Sequence, residues 1–293
     1  ELPASRKHPV FQPPDEPKSH SMQPVLTLSS IPPRFKHLPK LFRALSRQTL
    51  HPQKVELNIP KSYRRFPGAV PALPELPEWV EVHRPEIDYG PATKLLPTVD
   101  RWRGLAVDLL VFDDDIIHDR RWIERFMTAR RDNPNDVICQ RGWQIDEYPG
   151  FDRRDAPAPS YRAPTSNGKD LAYRFKRVVS LGQMNPLMRR VAEPGYVDVL
   201  EAVGGALLSP EAIPEQAKTI PEVIWTVDDV WLSGMIWHNG WKIWGHGLPH
   251  FVRRGGGVNR IEPLVRFTFQ GHDRDAANRL AVDYLRRKYG IWP

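Results

Sequence analysis

The sequence predicts an α/β fold, a mostly parallel central sheet flanked by helices. Three observations carry that reading. Short runs rich in Val, Leu and Ile alternate with stretches whose apolar residues recur at helical spacing. Strand, helix and strand follow one another within Val25 to Ile59, which is a βαβ unit with a right-handed crossover. Leu105 to Phe112 is apolar enough for a strand covered on both faces.

Residues 1–23 are rich in Pro, His, Lys and Ser and read as a linker or disordered arm. The folded domain is expected over 24–293, a length that allows a large core. Val25 to Ser30 is the first strand, and Ile31-Pro32-Pro33-Arg34 is the loop leaving it. Leu38, Leu41, Phe42 and Leu45 define a helix over His37 to Thr49, and Val55 to Ile59 is the second strand. Lys61 to Glu78 is a Pro-rich surface loop before a third strand, Val80 to Val82. Asp88 to Leu96 is a Gly-Pro turn feeding a helix with Lys94 in its first turn, where a helix N-terminus favours anions. Leu105 to Phe112 is the fourth strand, Asp119 to Arg131 a helix with Trp122, Ile123 and Phe126 inward, and Val137 to Cys139 a short strand.

Glu147 to Lys169 is a second loop rich in Pro and Gly, and Leu171 to Leu187 has no decisive pattern. Val197 to Leu200 leads to Gly204-Gly205 and a strand through Leu208. The paired glycines either bring backbone close to a ligand or mark a bulge. Glu211 to Ile220 reads as a short helix, Val227 to Trp237 as a helix opened by Asp228 and Asp229, and Trp241 to Gly247 as a strand ending at His246. Asp273 to Lys288 is a C-terminal amphipathic helix.

Lys and Arg number 42 against 35 Asp and Glu, a net charge of +7. That favours phosphorylated ligands, polyanions or an anionic membrane surface. No dense basic block with interleaved aromatics occurs, so nucleic acid is not an expected partner. Cys139 is the only cysteine, which excludes an intrachain disulfide and a cysteine zinc site. No apolar run approaches the roughly 20 residues of a membrane span. The expected compartment is the cytoplasm, with peripheral membrane contact as an option, or the Golgi lumen if an anchor precedes Glu1.

The chemistry is concentrated at Asp113-Asp114-Asp115. Three adjacent carboxylates at a strand tip repel one another unless something cationic sits there, and hard divalent cations such as Mn²⁺ or Mg²⁺ take oxygen ligands. The plainer alternative is a solvated acidic loop. Asp228 and Asp229 either cap a helix or supply a general base. His246 is either a polar surface group or a metal ligand. The strand ends gather Ser29, Ser30, the Lys94 helix and the acidic triplet along one sheet edge, where α/β proteins bind ligands. In outline that is a nucleoside-diphosphate site, without a Walker-type or dinucleotide-binding glycine motif.

In order and spacing this pattern resembles the inverting, family-two-like GT-A glycosyltransferases, from Pro24 to about His250. The resemblance implies a GT-A type, Rossmann-like single domain, with a nucleotide-sugar half over 24–140 and an acceptor or catalytic half over 141–293. It matches the D-x-D motif to Asp113 and Asp115 and the x-E-D motif to Asp228-Asp229, with Asp in place of the commoner Glu. It then implies Asp229 as base with Asp228 beside it, and Asp115, Asp113 and His246 as ligands of Mn²⁺ or Mg²⁺, with His250 as the other register for the histidine. Thr27, Ser29, Ser30, Arg34, Lys94, Asp113, Asp114, Gly204 and Gly205 would bind a UDP-, GDP- or similar nucleotide-sugar, and the acceptor would be a glycan or glycolipid. Trp143, Trp225, Trp231 and Trp237 lie in the acceptor half, mostly as core. A sugar nucleotidyltransferase, or a non-catalytic carbohydrate- or nucleotide-binding module, is the competing reading.

Overall fold

A computed structural model describes residues 23–68, 70–147, 165–166, 190–191, 193–247, 253–254, 258–264 and 267–292. Residues 1–22 of the expected 1–23 arm, most of the 147–169 loop, the 171–187 stretch and His250 lie outside the described residues.

Eight strands form one sheet: β1 (Val25–Ser29), β2 (Lys54–Asn58), β3 (Val80–His83), β4 (Leu109–Val111), β5 (Val137–Cys139), β6 (Gly195–Tyr196), β7 (Ala206–Leu208) and β8 (Ile243–Gly245), in the order β6-β8-β5-β7-β4-β1-β2-β3. β1 is parallel to both β2 and β4, β2 to β3, and β5 to β8. β7 runs antiparallel between β4 and β5, so its N-terminal end meets the C-terminal ends of its neighbours. The mostly parallel α/β sheet is therefore as the strand pattern predicts.

Side-chain alternation builds two cores. Val25, Leu109, Val111, Val137, Cys139 and Ile243 face α2 (Leu96–Trp102), α4 (Asp228–His238) and α5 (Arg274–Tyr289). Leu26, Leu28, Leu110, Phe112 and Ile138 face α1 (Leu38–Leu45) and α3 (Trp122–Asp132). Trp231 on α4 is fully buried in the core and donates to the Ala217 carbonyl, while Trp237 is partly buried against that core and donates to the Asp198 carbonyl.

Three elements differ from the sequence reading, each for a local reason. β4 begins only at Leu109, because Gly104 turns the chain with φ +81° and Asp108 is buried in an ion pair with Arg130. Pro214 interrupts the expected 211–220 helix, leaving two 3₁₀ turns. Lys94 closes a 3₁₀ turn, Gly90–Lys94, rather than opening an α-helix. No described helix is long and apolar enough to cross a membrane.

Gly204 and Gly205 lie at the end of β7 near the acidic triplet, but packing explains them. A Cβ at Gly204 would sit 2.6 Å from Arg141, and one at Gly205, whose φ is +96°, would sit 2.6 Å from the Trp122 ring. Trp122 also donates to the Gly204 carbonyl at 3.0 Å. Gly205→Ala therefore combines a left-handed backbone with a core clash and should cost about 2–4 kcal/mol of stability in urea denaturation. Gly104→Ala, with positive φ but open space, should cost about 1–2 kcal/mol. Equal losses would mean that the aromatic contact is not what demands glycine.

Candidate functional site

The candidate site lies where β1 and β4 end and α4 begins. The alternation that sends Leu109 and Val111 toward α4 continues to Asp113, while Asp114 turns toward the α1 side. This splits the triplet between two cations. Lys94 Nζ contacts Asp113 Oδ1 at 2.7 Å and Asp228 Oδ2 at 2.8 Å. Arg34 donates to Asp114 at 2.7 Å and stands 3.5 Å from Asp115, while its Nε donates to the Ile261 carbonyl. Ser30 donates to the second Asp114 oxygen.

Lys94 is held from behind. Thr27 donates to the Lys94 carbonyl at 2.5 Å and shares a hydrogen bond with Thr98, and the Asn58 amide donates to both threonines. Arg101 extends the network from Asn58 to the buried carboxylate of Glu56. Thr27 is thus fully buried and positions Lys94, not a ligand. Lys94 is itself 5% exposed and occupied by two carboxylates, so it does not project into the crevice as a helix-terminal phosphate ligand. Ser29 is half-buried at the strand end.

The turn before Lys94 is organised by Asp88. Its carboxylate accepts from the backbone of Gly90 and Arg64. Gly90 has φ +61°, and a Cβ there would come within 2.7 Å of Trp225. Trp225 is in turn covered by the Arg64 guanidinium, 4.8 Å from its ring centre.

Asp228 and Asp229 open α4. Asp228 is buried against Lys94, while Asp229 is partly exposed, accepts from the Ala202 N–H at 3.2 Å and has Arg274 at 3.7 Å. Arg274 is the first residue of α5 and was not visible to the sequence reading, because only the fold brings the two helices together. Ser233 fixes the first turn by donating to the Asp229 carbonyl while accepting from Leu200.

Electrostatics separate Asp113, Asp114, Asp115 and Asp229. Burial raises the Asp113 carboxyl, but Lys94 outweighs it and the net pKa is lowered. Burial holds Asp114 above its usual range despite Arg34. Burial, then repulsion from Asp113 and Asp114, pushes Asp115 up to about 7. Burial and the neighbouring Asp228 likewise push Asp229 up to about 7.

His246 is not part of this cluster. It sits under α3, edge-on to Phe126 at 5.0 Å, with its pKa lowered to about 4 by burial and by Arg125. No carboxylate of the triplet contributes to that shift, and among the described residues no three His, Cys, Asp or Glu side chains converge as a metal site. The predicted Asp115–Asp113–His246 set is therefore not assembled. Gly204 and Gly205 are likewise explained by Arg141 and Trp122, without a ligand.

No protein-family model and no curated protein sequence matches this chain. Among solved structures, S. aureus TarS 1–349 in complex with UDP is similar over 92% of this chain and 72% of that one, with 11% identity and a TM-score of 0.40.

The raised carboxyls give a stability signature. In the folded chain Asp115 holds its proton up to about pH 7, whereas unfolded it releases it near pH 4. Between those limits the folded state binds more protons, so this group's contribution to stability falls as pH rises from about 4 to 7. Asp115→Asn should therefore gain about 1–3 kcal/mol over the wild type at pH 8 and little at pH 5, read by urea unfolding of the ligand-free chain. An unchanged difference across that range would mean the triplet does not hold Asp115 protonated.

Proposed function

We propose that this protein is a metal-dependent glycosyltransferase that moves a sugar from a nucleotide-diphospho-sugar to an acceptor hydroxyl with inversion. One observation carries the reading. Two acidic clusters far apart in sequence, Asp113 to Asp115 and Asp228-Asp229, meet at one sheet edge through a buried lysine. Each keeps one carboxyl near 7, at Asp115 and at Asp229.

Asp229 is suited to general-base work. A base is most effective when its pKa lies near the working pH, and Asp229 is partly exposed while its neighbour is not. It would take the proton of an acceptor hydroxyl as that oxygen attacks the anomeric carbon. The bond to the diphosphate breaks on the opposite face, giving inversion in one displacement. Asp228 stays paired with Lys94 and supplies the negative neighbour that raises Asp229. Arg274 and Arg34 are the partly exposed guanidiniums beside the two clusters and would meet the charge left on the departing diphosphate.

Two carboxylates are the candidate donors for a divalent cation. Asp115 is crowded by two carboxylates that Arg34 and Lys94 do not fully offset, a surplus of negative charge suited to Mn²⁺ or Mg²⁺. Asp113 and Asp115 would hold the ion, without His246, and when bound it would neutralise diphosphate charge. The acceptor, a glycan or a glycolipid, is set by loops that carry no readable code.

Asp229→Asn should keep nucleoside-diphosphate affinity within about twofold while lowering kcat by about 10²–10⁴. The ascending limb of kcat near pH 7 should disappear with it. Near-full turnover in the variant, measured as free nucleoside diphosphate released in a screen of UDP- and GDP-sugars, would remove Asp229 from the base role. In calorimetry, nucleoside-diphosphate binding should weaken at least tenfold when EDTA exceeds Mn²⁺. Equal affinity in both conditions would exclude metal-assisted binding.

A further inference from the structure

The outer surface of α1 and of the turns that flank it carries a charge pattern that the proposed reaction does not use. Between Glu16 and Glu56 the sequence contains no acidic residue. Within that stretch Lys36, Lys40, Arg43 and Arg47 are all exposed, while Phe35, Leu38, Leu41, Phe42 and Leu45 are buried. Lys40 and Arg43, three residues apart on α1, share one face of it, opposite the buried Leu38, Leu41 and Leu45, while Lys36 lies in the 3₁₀ turn Pro32–His37 before the helix and Arg47 in the turn after it. None of the four has an ion-pair partner among the described residues.

Neighbouring elements do not neutralise the stripe. Arg120 joins it, donating through Nε to the Arg47 carbonyl. The nearest acids of that region are already engaged, Glu124 by Arg121 and Thr49, and Asp119 by Arg125. Elsewhere on the surface basic residues are commonly matched, as in Lys54 with Glu81, Lys61 with Glu86 and Lys218 with Asp100.

We propose that this face of α1 docks the protein on an anionic phospholipid surface. A close run of exposed cations with no ion-pair partner among the described residues is complementary to a plane of negative headgroups. It has no exposed aromatic side chain among its members on which bases could stack, the usual companion of cations in single-strand binding. Each Lys or Arg near an anionic leaflet contributes on the order of fivefold in partition, so four acting together hold a protein reversibly. The stripe starts two residues after Arg34, which touches Asp114 and Asp115. A leaflet docked there lies beside the lip of the crevice.

The test is co-sedimentation of the full chain with phosphatidylcholine vesicles, with and without about 30% phosphatidylglycerol, at low and high salt. The wild type should bind only the anionic vesicles and be released by about 0.5 M salt. Replacing Lys36, Lys40, Arg43 and Arg47 together by Gln should weaken binding by tenfold or more. The charge-preserving set Lys36→Arg, Lys40→Arg, Arg43→Lys and Arg47→Lys should retain it, which separates charge loss from misfolding. Arg287→Gln with Lys288→Gln, a basic pair at the far end of α5, serves as control and should retain binding. Equal loss in the control would mean that only overall charge matters, and would overturn the proposal. So would absent binding to anionic vesicles, or capture of the stripe by duplex or single-stranded nucleic acid in preference to them.

Discussion

The contact on which the candidate site depends is the buried bridge from Lys94 to Asp113 and Asp228. An ammonium withdrawn from water is costly unless its partners are fixed, and here both are. Asp113 is fixed because β4 ends beneath it, and Asp228 because it opens α4. Burial works against the charge on Lys94, but Asp113, Asp228 and Asp229 together raise its pKa, so the lysine stays charged. The bridge thereby joins the two halves of the crevice, one from the strand end and one from the helix start. Removing the cation would leave two carboxylates facing each other in a buried space.

Once that bridge is in place, the remaining acids are under-compensated. Asp114 takes the better part of Arg34, together with Ser30, and leaves Asp115 at 3.5 Å from the same guanidinium. Asp229 has Arg274 only at 3.7 Å. These two carboxyls are the ones pushed up to about 7, and they belong to different clusters. The site therefore stores its surplus negative charge at two separate places. A protein selected for stability alone would place apolar or paired groups there, since unpaired buried charge weakens the fold.

Much of the frame was legible in the sequence because it depends on local pattern. Short runs rich in Val, Leu and Ile marked the sheet, and runs at helical spacing marked α1, α3, α4 and α5 within a few residues. The triplet and Asp228-Asp229 were conspicuous as runs of like charge in apolar surroundings. What the sequence concealed was direction and partnership. Lys94 at a predicted helix start suggests a ligand-facing cation, yet the Pro91-containing 3₁₀ turn and Thr27 aim it inward. His246 stands at a strand end on the correct edge, but on the α3 side, where Phe126 and Arg125 meet it. Gly204-Gly205 reads as room for a ligand and is filled by Arg141 and Trp122. Arg274 had no signal at all, being a helix-terminal arginine whose importance comes only from the packing of α5 on α4.

The difference in surroundings between the two raised carboxyls suggests how the two tasks of the proposed reaction divide between the two clusters. Asp115 is surrounded by carboxylates of its own segment and by one shared arginine, so a divalent cation relieves its excess most directly. Asp229 borders a backbone N–H, a carboxylate already paired to lysine, and an arginine at long range. In the proposed reaction a single proton relieves its surplus, which is what a base exchanging with a hydroxyl requires. In the proposed reaction Lys94 stands between them, paired to Asp113 on one side and to Asp228 on the other, and so separates the metal end from the base end. On this view the lysine acts by holding the two tasks apart while remaining out of reach of substrate.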